Sequence, residues 1–151
     1  MPEQETIERA REDEREGKSP STQAGEFVRE EIHHVREGKH GARNTKQAIA
    51  IGLSKARRAG VKLGTPNPKT SAARTRKKAA QDTARSRRRT KPSAKPRATE
   101  RALEREGHSA ASSRALERQA HSSAARRGKK NRQAAAKKAA RTRARERSRQ
   151  S

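Results

Sequence analysis

Large apolar side chains are few along this chain, and they cluster. Val28, Ile32 and Val35 fall at i, i+4 and i+7, with Ala24 and Phe27 beside them, so residues 23–36 are expected to form an amphipathic helix ending at Gly38. Residues 45–59 show the period again. Ile49, Leu53 and Ala56 make one face, and Gly60 closes the segment. Ile51 points about half a turn away at ~100° per residue, so this second helix is apolar on more than one side near its middle. It is either sandwiched between the first helix and another element or paired with a second copy of itself as a homodimer. Gly52, with Ala48 and Ala56 on the neighbouring turns, permits close helix approach at such a contact.

Turn chemistry frames these two helices. Residues 17–21 (GKSPS) are a break, after which Ser21 or Thr22 caps the first helix. In the Gly-rich basic loop of residues 37–44, Asn44 is the expected N-cap of the second helix and Gln47 its reciprocal partner. Val61 and Leu63 are expected to fold back and finish a small core, closed by the GTPNP linker at 64–68. Residues 3–16 are rich in helix formers, but Ile7 is their single large apolar residue. They read first as a solvated charged helix, the alternative being that their acids lie against the basic tail when no nucleic acid is bound.

Beyond residue 68 no apolar stripe appears. Residues 69–97 are Lys/Arg/Ala/Ser/Thr with prolines at 92 and 96. Two copies of a short motif follow, Arg101-Ala-Leu103-Glu-Arg105 with His108 and Ala111, and Arg114-Ala-Leu116-Glu-Arg118 with His121 and Ala124, each a short Ala-rich helix with one Leu anchor. Residues 126–149 alternate basic residues with Ala.

Composition limits what can fold. Of 151 residues, 26% are hydrophobic and 38% charged, with one Phe and neither Trp nor Tyr, so most of the chain is expected to bury too little to offset ordering entropy. The expected fold is all-α: a small helical hairpin, an acidic N-terminal helix, and a long disordered or transiently helical basic tail. The divisions are 1–18 (acidic helix), 19–65 (hairpin), 66–99 (basic linker), 100–128 (two-copy repeat) and 129–151 (basic tail). The absence of cysteine removes disulfides and thiol chemistry. The N-terminus lacks an apolar signal core, and no run approaches ~18 apolar residues, so a cytoplasmic protein is expected.

Charge is polarised. Residues 1–37 hold 6 Lys/Arg against 11 Asp/Glu, whereas residues 38–151 hold 35 against 6. A segment so basic is expected to neutralise phosphate and release counterions. The expected contacts begin in the hairpin. Lys39, Arg43 and Lys46 surround the N-terminus of the second helix, where the amides of Asn44 and Thr45 make a phosphate site, and Lys55, Arg57 and Arg58 crowd its C-terminal end. They continue through Arg74, Arg76, Lys77 and Lys78, then the dense run Arg85, Arg87, Arg88, Arg89 and Lys91. They end with Arg126, Arg127, Lys129 and Lys130, and with Lys137, Lys138, Arg141, Arg143 and Arg145. Sequence readout is not expected. The tail has no aromatic to stack on bases, the AT-hook core is absent, and the interhelical loop is too long for a helix-turn-helix.

Chemistry beyond phosphate contact is not indicated, and neither a cofactor nor a metal site is expected. His33 and His34 point about 100° apart on a helix, so with His40 they read as surface histidines. Glu26, Glu30, Glu31 and Glu37 read as a solvated face opposite the apolar stripe. His108–Ser109 and His121–Ser122 lack the packed pocket a nucleophile–base pair requires.

Residues 20–63, above all EFVREEIHHVREGKHGARNTKQAIAIGLSKARRAGV, resemble a family of small basic bacterial proteins of unknown function that are often labelled DNA-binding. The remainder is similar in composition to linker-histone-like tails. The resemblance implies a bacterial cytosolic protein associated with the nucleoid, and it carries over no catalytic residue or cofactor. The resulting expectation is a non-enzymatic, histone-like protein that binds DNA in preference to RNA without sequence preference. The rivals are an RNA- or ribosome-associated basic protein and a protein-interaction module localised by its basic tail.

Overall fold

The computed structural model describes residues 2–69, 71–87 and 97–150. Among the described residues there are seven helices: α1 (Gln4–Arg15), α2 (Pro20–Arg36), α3 (Thr45–Arg58), α4 (Ala73–Arg87), α5 (Arg97–Glu104), α6 (Ser113–Arg126) and α7 (Gly128–Gln150). A 3-10 turn at Ser109–Ala111 precedes α6, and no strand occurs among the described residues. The chain divides into two compact units, Met1–Ser112 and Ser113–Ser151.

In the first unit, α2 and α3 form the expected hairpin. Ser19, rather than Ser21 or Thr22, caps α2; its hydroxyl accepts from the Thr22 amide and Pro20 occupies the first turn. The cap of α3 is Asn44, whose side chain accepts from the Gln47 amide at 2.9 Å. Gln47 reaches back one residue further than expected, to the Arg43 amide at 2.8 Å. Gly38 ends α2 at φ +76°, a conformation that strains any residue with a Cβ.

The core gathers Phe27, Ala24, Ala56, Val61 and Ala10, with Ile7, Leu53 and Leu63 packed against it. Val61 and Leu63 therefore do fold back. Helix α1 corrects the expectation of a solvated helix: Thr6, Ala10 and Asp13 are buried, and Arg9 reaches Glu26 of α2 at 3.2 Å. Two of its acids form ion pairs, Asp13 with Lys18 at 2.9 Å and Glu14 with Lys62 at 3.6 Å.

The buried face of α3 is made of Thr45, Ala48, Gly52, Lys55 and Ala56, while Ile49, Ile51 and Leu53 are half-buried. Small residues face α2 because the two backbones come close. A Cβ on Gly52 would lie 2.7 Å from the Cα of Val28. The smallness of Gly52 thus serves contact with α2, in keeping with the first of the two arrangements expected for this helix. Gly52→Ala is expected to destabilise the hairpin by about 1–3 kcal/mol through overpacking. That reverses the gain of about 1 kcal/mol that Ala gives over Gly in an open helix, and urea unfolding followed by circular dichroism measures the sign.

The expectation of a long disordered or transiently helical tail is overturned, because helices run through the described residues from 73 to 150. Alanine supplies part of the reason, being the strongest helix former. Helix α4 also docks without large apolar residues. Ala79 and Asp82 are buried, and the Asp82 carboxylate accepts from the Ser54 hydroxyl at 2.6 Å and faces Arg58 at 3.7 Å.

Residues 103–111 dock on the hairpin loop. The Gly41 amide donates to the Leu103 carbonyl at 2.9 Å and the Ala42 amide to that of Gly107 at 3.0 Å. Arg36 and the Thr45 hydroxyl bond the carbonyls of Ala111 and Ala110, at 2.8 and 2.6 Å. Gly41 allows this approach, because a Cβ there would overlap the Glu106 backbone. The two repeat copies consequently differ. The first carries Glu106-Gly107, beyond the end of α5 at Glu104, and the second carries Gln119-Ala120, through which α6 continues.

Candidate functional site

Two groups of charged residues stand out: a buried cluster in the hairpin and an exposed cationic surface beyond it. Helix periodicity builds the cluster. Glu31 and His34 lie at i and i+3 on α2, with Glu30 and His34 at i and i+4, so three polar side chains share one edge of the helix. The turn after Gly38 returns His40 to the same place, and α3 brings Lys55 from the opposite side.

The burial is deep. Glu30 is 5% exposed, Glu31 0% and Lys55 4%. The Lys55 ammonium lies 2.7 Å from Glu31 Oε2 and 3.3 Å from Glu30 Oε1. Glu30 Oε2 also accepts the Glu3 amide at 3.1 Å. The His34 ring is 11% exposed and the His40 ring 14%, and the two meet edge to face at 6.2 Å. His34 Nε2 lies 3.1 Å from Glu3 Oε1. The hydrogen bond from His34, followed by that from Lys39, holds the Glu3 carboxyl below its ordinary range. Lys39 is shifted up, chiefly by Glu37 and then by Glu3.

This geometry corrects two readings. Glu30 and Glu31 are not a solvated face, and His34 and His40 are not surface histidines; His33 alone is fully exposed. The sequence carried the signal in the spacing Glu31-x-x-His34, which places two donors on one face. The neighbouring pair His33–His34 does not. Lys55 is also removed from the phosphate contacts, since a 4% exposed ammonium held by two carboxylates cannot reach a phosphate.

The other cations have diverse surroundings. Lys39 pairs with Glu3 and Glu37, both at 3.2 Å, and Arg43 faces Glu106 at 3.7 Å. Lys46 is exposed and Arg57 half-buried. Arg58 is engaged with Asp82, and Arg76 donates to the carbonyls of Ser71 and Pro68. Arg74, Lys77, Lys78, Arg85 and Arg87 are exposed along α4. Arg88, Arg89 and Lys91 lie outside the described residues.

In the second unit the pattern is simpler. Arg126, Arg127, Lys129, Lys130, Lys137, Lys138, Arg141, Arg143 and Arg145 are all exposed, as are Arg132, Arg147 and Arg149, which the sequence reading did not single out. Helix α7 holds ten Lys/Arg against one acid, Glu146, and every described side chain on it is exposed. At ~1.5 Å per residue its 23 residues span about 35 Å, close to one turn of a B-form duplex. Lys137, Arg141, Arg145 and Arg149 stand four residues apart and form one row, each about 6 Å further along the helix axis than the last.

Residues 15–69 match the model of a family described as "Family of unknown function (DUF6496)". The matched stretch spans α2, the loop with His40, and α3, so it contains the hairpin residues of the buried cluster. No curated protein and no solved structure matches the chain. Among the described residues no helix is long and apolar enough to cross a membrane.

Proposed function

We propose that this chain binds nucleic acid, DNA in preference to RNA, by neutralising phosphate without reading sequence. The observation that carries the proposal is α7, a helix about 35 Å long with cations on every side and no apolar face to bury. Like charges three and four residues apart repel along such a helix, and a phosphate backbone relieves that repulsion while releasing counterions. Helix α4 adds further exposed cations, Arg74, Lys77, Lys78, Arg85 and Arg87. The nearly complete lack of aromatic side chains supports phosphate contact over base stacking. The proposal includes association with the nucleoid of a bacterial cell, where duplex DNA is the polyanion such a helix would neutralise.

The test is fluorescence anisotropy with a labelled duplex of about 30 base pairs, its scrambled sequence, and duplex and single-stranded RNA of the same length. Equal affinity for the two DNA sequences and weaker binding to both RNAs is the expected result. Tighter binding to RNA would transfer the proposal to an RNA- or ribosome-associated role. No binding to any of the four at low salt would overturn it.

A further inference from the structure

The buried cluster has a feature that ion pairing alone does not satisfy. Neither oxygen of Glu31 is in hydrogen-bonding geometry with a donor, and neither is His40 Nε2, although all three atoms are shut off from solvent. Buried polar atoms without partners are rare, and a bound ion is one of the few physical reasons for them. His40 Nδ1 lies 3.1 Å from the Gly41 carbonyl. A carbonyl can only accept, so Nδ1 carries the proton, and a neutral ring then directs the lone pair of Nε2 into the cluster. There it stands 3.1 Å from Glu31 Oε1 without aiming at it. Two lone-pair donors side by side around a shared point are what a cation requires.

We infer that Glu31, His34 and His40 form a binding site for one divalent transition-metal ion, with Zn²⁺ the best chemical match. One donor atom from each lies within 4.8 Å of the others. Donors at about 2.1 Å from a tetrahedral ion stand about 3.4 Å apart, so the three need only draw together by roughly an ångström. Two imidazoles and one carboxylate leave room for water as a further ligand. The surroundings supply the orienting contacts such ligands need. Lys55 holds Glu31 Oε2 and leaves Oε1 turned toward His40. The Gly41 carbonyl fixes the His40 tautomer, and the Glu3 carboxylate, 3.1 Å from His34 Nε2, orients the His34 ring.

Charge points the same way. Glu30 and Glu31 set two buried carboxylates against the single ammonium of Lys55, and a divalent ion supplies further positive charge. The ion would tie α2 to the turn after Gly38, the turn on which residues 103–111 dock.

The experiment uses the full-length chain, stripped with chelator and free of nucleic acid, titrated with Zn²⁺ alone against a chromophoric chelator and, separately, with Co²⁺ alone. One equivalent of Zn²⁺ is expected to bind. His34→Gln, His40→Gln and Glu31→Gln should each weaken binding at least tenfold, while His33→Gln leaves it unchanged. Bound Co²⁺ should give visible absorption that Zn²⁺ abolishes. If a variant fails to fold, paramagnetic shifts from Co²⁺ in the wild-type chain decide. Shifts centred on the rings of His34 and His40 support the site, whereas shifts centred on His108 and His121 overturn it. Absence of stoichiometric binding to the wild-type chain would also overturn it.

Discussion

Raising salt from 50 to 200 mM is expected to weaken duplex DNA binding by a factor of about 10³ to 10⁵. That range follows from six to ten phosphate contacts, each contributing roughly −0.9 to the slope of log K against log salt. Helix α7 alone offers ten cations within about 35 Å, enough to supply the whole slope from one face of a duplex and its flanks. The row Lys137, Arg141, Arg145 allows a sharper measurement. Changing these three to Gln keeps good helix formers in place, so the helix is retained while the charge is lost. The slope is then expected to fall by about 2–3, with little change in preference among DNA sequences. An unchanged slope would show that this face of α7 does not touch the phosphates. A slope near zero in the wild-type chain would exclude phosphate neutralisation altogether.

What the sequence made legible follows from side-chain size. Val28, Ile32, Val35 and Phe27 are large enough to show a helical period, and so α2 was readable, with its stop at Gly38. The segments that hold onto the hairpin through small or polar contacts left no such trace. Helix α1 packs through Thr6 and Ala10, and α4 through Ala79 and the single acid of its stretch, Asp82. An apolar-stripe criterion passes over all four. The docking of residues 103–111 is made by backbone hydrogen bonds to Gly41 and Ala42, which composition cannot reveal. Only the difference between Gly107 and Ala120 marked that the two repeat copies would part. The face of α3 misled for the same reason. Ile49 and Leu53 drew attention, yet close approach at Gly52 buries the line of small residues, and Lys55 lies on that line. Its placement among Arg57 and Arg58 gave it the look of a surface cation. Once the buried line is drawn through Ala48, Gly52 and Ala56, the burial of Lys55 follows from periodicity, and so does its need for carboxylates from α2.

Replacing Lys55 by Met should therefore be the most damaging single change in the hairpin. Met fits the space of the aliphatic stem, so the change is electrostatic more than steric. It leaves Glu30 and Glu31, 5% and 0% exposed, as adjacent buried carboxylates without their shared cation. Removing one partner of a buried ion pair costs about 3–5 kcal/mol, which for a unit of this size lowers Tm by roughly 10–20 °C. The measurement is thermal unfolding in the presence of chelator, so that no ion takes the place of the ammonium. Adding Glu31→Gln to Lys55→Met removes one of the stranded charges and is expected to recover a substantial part of the loss. Two single changes that each destabilise, combined into a double change milder than Lys55→Met, are the signature of direct coupling. Additive losses would mean instead that Lys55 stabilises the hairpin through the packing of its stem, with the carboxylates finding their compensation elsewhere. The same double variant tested with Zn²⁺ should gain no stability from it, because Glu31 is the one residue that both the ammonium and the proposed ion must share.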